Sequence, residues 1–250
     1  VGIGCLFLSA CVTTNSNFPS GSLDGPVENP QNVSGIVFSP KGDGPFPAIV
    51  LLHTCGGLRP HVTERWPKYL TSLGYVVLSV DSLGPRGVTN CSRLGRNTAK
   101  QAEDALGAID YLAKLPNADG TRVGIMGFSS GATAISSHLV ESWKKRPDGL
   151  YFKAAISVYG NCQVADHTNE SLPLLVIVAE KDDLNAPSCL DDAKMYPSIQ
   201  LKVIPGAYHA FDSHHVGGSR MDNQGSIMQF SASATQKTEE LTKAFFAKYL

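Results

Sequence analysis

Short, near-continuous apolar runs alternate along this chain with longer stretches whose apolar residues recur at helical spacing. Residues 48–53 and 75–81 are runs of the first kind, as parallel strands covered on both faces should be. Residues 122–126, 152–158, 174–179 and 199–204 continue the series. Residues 34–40 alternate enough to be an early strand. Between these runs, residues 62–73 read as a helix closed by Gly74. Residues 97–115 place Ala102, Ala105, Leu106, Ile109, Leu112 and Ala113 along one helical face. Residues 132–140, 186–196 and 236–250 read as further helices. Strands alternating with helices predict an α/β fold: a mostly parallel central sheet with helices on both faces and no separate lid domain. The polar, glycine-rich stretch 209–233 is expected to wrap the rim of a site.

Composition narrows the class of protein. The chain has 250 residues, 42% of them hydrophobic and 17% charged, with a formal net charge of −1. That balance suits one globular domain with a substantial core. The sequence holds no extended basic block, so nucleic acid is not an expected partner.

The first residues differ in kind. Residues 1–10 are uncharged and mostly apolar, too few to span a bilayer, and end in small residues before Cys11. Leu8-Ser9-Ala10-Cys11 resembles the bacterial lipobox, in which diacylglycerol is attached to the cysteine. Residues 1–33 are therefore expected to be an export signal with lipidation at Cys11 and a flexible tether. Residues 34–250 would form the folded domain. The implied location is the bacterial periplasm or a membrane surface, reached by the lipid anchor. No Lys or Arg precedes the apolar run, which departs from a complete signal; a simple secreted protein and a buried N-terminal segment stay open.

Chemistry concentrates at Gly127-Phe128-Ser129-Ser130-Gly131. This is G-x-S-x-G between a predicted strand and a predicted helix, the setting in which a serine is held on a tight strand-to-helix turn. Its partners should follow in the order acid, then histidine. The strand at 174–179 leads into Glu180-Lys181-Asp182-Asp183, and the strand at 199–204 leads to His209. Both positions lie beyond strand C-termini, where open α/β sheets bind ligands. Asp182 is favoured over Asp183 as the acid, with Asp183 facing solvent or capping a helix. Donors for a developing oxyanion are expected from the N–H groups of Ser130 and of Cys55, in the loop after residues 48–53. His214 and His215 read as solvated, with no third ligand at metal-binding spacing, so no metal is expected.

Five stretches together resemble the dienelactone hydrolase family. They are His53-Thr-Cys-Gly-Gly57, Asp81-Ser-Leu-Gly-Pro-Arg-Gly87, Gly127-Phe-Ser-Ser-Gly131, Glu180-Lys-Asp-Asp183 and Gly206-Ala-Tyr-His-Ala-Phe211. The resemblance covers residues 34–250. It implies a lidless α/β-hydrolase fold and hydrolysis of a small carboxyl ester or lactone without a cofactor. The name-giving enzymes use a cysteine nucleophile where this chain has Ser129, and hold the substrate carboxylate with arginines. Arg86 falls in a loop suited to substrate binding, or to a structural ion pair; no second arginine matches. Some relatives carry cysteines in the loops of Cys162 and Cys189, which implies a Cys162–Cys189 disulfide in an oxidising compartment. Cys55 and Cys91 are a second candidate pair. Two other functions compete with the esterase: a peptidase or acyltransferase on the same triad, and a non-catalytic ligand-binding lipoprotein. The oligomeric state is not legible.

Overall fold

In a computed structural model, residues 12–94, 98–140, 149–161, 172–186, 189, 199–216, 220–221 and 226–250 are described. Eight strands form one sheet: β1 (Val12–Pro19), β2 (Asn32–Ser39), β3 (Phe46–Leu52), β4 (Val76–Asp81), β5 (Ala118–Phe128), β6 (Ala154–Val158), β7 (Leu174–Ala179) and β8 (Gln200–Ile204). Their order is β1-β2-β4-β3-β5-β6-β7-β8. From β4 to β8 the strands run parallel; β2 joins β4, and β1 joins β2, antiparallel. This is the α/β-hydrolase fold.

The apolar runs follow from this placement. Residues 48–52 of β3 and all of β6 and β7 are buried, because helices cover both faces of the sheet. One face packs α2 (Ala99–Leu112) and the segment that follows the elbow, with Ala105, Ile109, Ile135 and Leu139 fully buried. The other packs α1 (Trp66–Ser72) and the C-terminal helix α4 (Ala232–Tyr249), through Trp66, Leu70, Phe245 and Phe246. A single π-helical turn, His61–Arg65, leads into α1. The short α3 (Ser130–Ala134) starts at the elbow and runs into a second π-helical turn, Ile135–Leu139. The chain after His209 holds a two-strand hairpin, β9 (Arg220–Met221) with β10 (Ile227–Met228), and His209 bridges to Met228.

The flexible tether expected before residue 34 is corrected here. Residues 12–19 form edge strand β1, paired along its whole length with β2. Its outer face is mostly polar and exposed, so it lacks the apolar pattern of the other strands. Two inward residues hold it: Phe18, stacked on Tyr111 of α2 at 5.3 Å, and Ser16. The chain beyond β1 then docks on α2, with Gly21 N–H donating to the Glu103 carbonyl at 2.8 Å. Gly107 permits this approach, since a Cβ there would strike the Pro19 carbonyl oxygen.

Gly107→Ala tests that docking. Helix propensity alone favours alanine by about 1 kcal/mol. The contact with residues 19–21 reverses the sign, and urea unfolding should show a loss of about 1–3 kcal/mol, the usual cost of overpacking. A neutral or stabilised variant would refute the docked β1.

Candidate active site

Ser129 stands at the end of β5, near the middle of the sheet, with φ 51° and ψ −112°. A non-glycine residue in that region is strained and persists only where its surroundings dictate it. They do. Its N–H donates to the Val158 carbonyl at 3.0 Å, and its carbonyl accepts from Thr133 N–H at 2.9 Å. Gly127 and Gly131 make the turn sterically possible. A Cβ at Gly127 would strike the Gly131 carbonyl, and one at Gly131 would lie 2.6 Å from the Leu52 carbonyl oxygen. The start of α3 is thereby pressed against the loop that leaves β3.

Two other strand ends bring in the partners. His209, 6% exposed, sets Nε2 3.0 Å from Ser129 Oγ and Nδ1 2.8 Å from Asp182 Oδ2. Asp182 is 1% exposed, and its other oxygen accepts the Leu184 N–H at 3.1 Å. Asn185 Nδ2 reaches Oδ2 at 3.4 Å and the Tyr159 carbonyl at 3.2 Å. Asp183, by contrast, is exposed. With Nδ1 facing a carboxylate, the neutral imidazole carries its proton there and leaves Nε2 free to accept from the serine hydroxyl. The arrangement can draw a proton from the hydroxyl and stabilise the imidazolium that results.

The loop after β3 borders the elbow. Ser130 Oγ donates to the His53 carbonyl at 3.4 Å, and the Ser130 N–H lies in the first turn of α3, where backbone donors lack intrahelical partners. Among the described residues the Cys55 N–H likewise has no hydrogen-bond partner. Cys55 is bridged to Cys91 by a disulfide, and its carbonyl accepts the Cys91 N–H at 2.9 Å.

The profile of the dienelactone hydrolase family matches residues 33–250. This chain belongs to that family. Curated relatives align only in part. The uncharacterized protein YcjY of Escherichia coli K12 is 34% identical over 121 residues, 48% of this chain and 37% of YcjY. Esterase FrsA of Klebsiella pneumoniae (strain 342) is 33% identical over 103 residues, 40% of this chain and 23% of FrsA. The alignments thus span well under half of either relative. Among solved structures, dienelactone hydrolase from Anabaena variabilis superposes with a TM-score of 0.69, over 96% of this chain and 99% of that one, at 21% identity. That likeness is one of fold.

Other expected site residues of this family member fall elsewhere. Of the two roles open to Arg86, substrate binding and a structural ion pair, the structure shows the ion pair and does not bring Arg86 to Ser129. Its guanidinium is spent on Asp104, with Nη1 and Nη2 each 2.8 Å from a carboxylate oxygen, and Nη1 also donates to the Ser82 carbonyl. Asp104 is fully buried in α2, and a buried carboxylate needs such a partner. Cys189 is disulfide-bonded; its expected partner Cys162 lies outside the described residues, as does Cys11. His214 sits 3.1 Å from Arg65 Nη1 through its Nε2, and His215 stacks near His61. No group of three metal-ligating side chains occurs among the described residues.

A buried network behind the site had no sequence signal. Tyr159, at the end of β6 with φ 40°, sets its ring edge-to-face on His209, with centroids 4.9 Å apart. Its hydroxyl donates to Asp212 Oδ1 at 2.6 Å, and Trp66 Nε1 donates to Oδ2 at 2.6 Å. Burial, and then the Asp212 charge, raise the Tyr159 pKa well above its ordinary value, so it remains a donor. His61 packs beside this network, edge-on to Phe128, with both ring nitrogens buried and, among the described residues, unpartnered. Burial outweighs the attraction of Asp212 and lowers its pKa from 6.5 to about 4.

A depressed histidine pKa sets the sign of a pH effect. Between about pH 6.5 and 4 the unfolded chain binds a proton at His61 that the native state does not, so stability falls as pH falls through that window. His61→Leu removes the titration and two orphaned polar atoms. Urea midpoints should show stability within about 1 kcal/mol of the parent at pH 7 and a flatter decline toward pH 4. An unchanged pH slope would show that His61 is not held neutral.

Proposed function

We propose that this protein hydrolyses a small carboxyl ester or lactone through an acyl-enzyme on Ser129. The observation that carries the reading is the hydrogen-bonded line from Ser129 Oγ through His209 to Asp182, at 3.0 and 2.8 Å. His209 takes the serine proton as Oγ attacks the carbonyl carbon, and Asp182 holds the ring and its developing charge. The oxyanion is met by the N–H groups of Ser130 and Cys55. His209 then gives its proton to the departing alkoxide, which for a lactone is the alkoxide end of the opened ring and becomes its hydroxyl. A water, deprotonated by the same imidazole, releases the acid. The name of the partially aligned esterase FrsA supports the same class. No step requires a cofactor.

Labelling by a fluorophosphonate probe tests this. The parent protein should label and cleave short p-nitrophenyl esters, and Ser129→Ala should do neither. Asp182→Asn should lower kcat by about four orders of magnitude, as a wrong tautomer does, while Asp183→Asn stays within about threefold. Labelling of Ser129→Ala, or the reverse ranking of the two aspartates, would overturn the assignment. Faster cleavage of peptide anilides than of esters would favour a peptidase.

The same proposal extends to location. The lipobox-like Leu8-Ser9-Ala10-Cys11 supports an exported lipoprotein, and the Cys55–Cys91 bridge fits an oxidising compartment. Because β1 begins at Val12, a lipid on Cys11 would join the sheet edge with no spacer. Radiolabelled palmitate should enter the parent protein in a bacterial host and not Cys11→Ser; equal labelling of both would remove the anchor.

A further inference from the structure

We infer that His53 is a positioning residue whose Nδ1–H holds the Thr54–Cys55 peptide with the Cys55 N–H facing the site. The inference rests on the reading of Cys55 N–H as an oxyanion donor.

A trans peptide is planar, and its carbonyl and N–H point in opposite directions. Whatever grips the Thr54 carbonyl therefore aims the Cys55 N–H. Two donors grip it: His53 Nδ1 at 2.6 Å and Gly57 N–H at 3.0 Å. The tautomer follows from the other side of the ring. Ser82 N–H lies 3.1 Å from His53 Nε2 and can only donate, so Nε2 is bare and Nδ1 carries the proton. Gln101 Nε2 comes within 3.4 Å of Nδ1, but it donates instead to the His53 carbonyl at 2.9 Å. Burial also lowers the His53 pKa, which keeps the ring neutral and Nε2 able to accept.

The support behind the ring is rigid. Ser82 lies just past β4, its carbonyl bonds Arg86, and Arg86 is clamped on Asp104 of α2. The peptide after Cys55 is held separately, by Cys91 N–H on the Cys55 carbonyl and by the disulfide. A flipped Thr54–Cys55 peptide would lose the bonds to His53 and Gly57 and turn a carbonyl oxygen toward a developing negative charge. A donor that needs no reorganisation during the reaction is worth most. Arg86, open in the sequence to a substrate-binding or a structural role, thus supports the site through Ser82 and His53.

Two near-isosteric variants separate this role from a structural one. Asn at 53 can offer Nδ2–H to the Thr54 carbonyl but loses the acceptor for Ser82. Gln at 53 can offer Oε1 to Ser82 N–H but leaves the Thr54 carbonyl without its side-chain donor. In the full chain, with p-nitrophenyl acetate, His53→Gln should lower kcat about 10- to 100-fold with KM within about twofold, below the cost of losing a whole oxyanion donor. His53→Asn should recover most of that loss. Equal kcat in the two variants, the reverse ranking, or a change confined to KM would overturn the inference. If only one variant folds, by urea unfolding, it decides alone: Asn more than tenfold down, or Gln near the parent, overturns it, and the opposite result supports it. If neither folds, His53 is a folding residue and the inference falls. Ser129→Ala run alongside tests the parent reading: ester cleavage that survives there overturns the hydrolase assignment itself, whatever His53 does.

Discussion

Everything at the centre of this molecule depends on how closely three backbones approach at Ser129. The end of β5, the start of α3 and the loop leaving β3 meet with no room for a Cβ at Gly127 or Gly131. Gly160, after β6, is equally confined, because a Cβ there would strike the Ala132 side chain. These contacts, with hydrogen bonds on both sides of Ser129, hold a serine in a backbone conformation it would leave if free. The strain is useful because it lifts Oγ out of the sheet, where an imidazole from a distant strand end can reach it.

Polar groups buried around this point divide into two supports, one on each side of the sheet. On the α2 side, Asp104, Arg86, Ser82 and His53 form a chain that ends on the Thr54 carbonyl. On the α1 side, Asp212 takes hydrogen bonds from Trp66 and Tyr159, and the Tyr159 ring lies against His209. Each replaces the water that its polar groups lose on burial, and in doing so gives neighbouring groups a single orientation.

Much of this protein was legible one residue type at a time. The runs at 48–53, 75–81 and 174–179 announced buried parallel strands because both faces of such strands are apolar. The G-x-S-x-G turn, and the places of Asp182 and His209 just past two later strands, followed from the same alternation. Edge strand β1 escaped because an edge strand buries few residues; Val12–Pro19 buries only Ser16 and Phe18, too few to show a period. Arg86 stayed undecided between two roles for a different reason. An arginine in a loop near a site looks the same in sequence whether it meets substrate or a buried carboxylate, and Asp104 reads as one more polar position on a helix.

Local sequence, then, determined most of the described strands and helices, and which residue types could supply a nucleophile, a base and an acid, because backbone preference and side-chain chemistry are properties of neighbours along the chain. Tertiary structure alone decided which oxygen of Asp182 meets which nitrogen of His209, that Tyr159 and Asp212 stand behind that ring, and which tautomer His53 adopts. Those choices are made by desolvation: a polar atom removed from water must find a partner from wherever in the fold one is brought close, and separation along the chain does not enter.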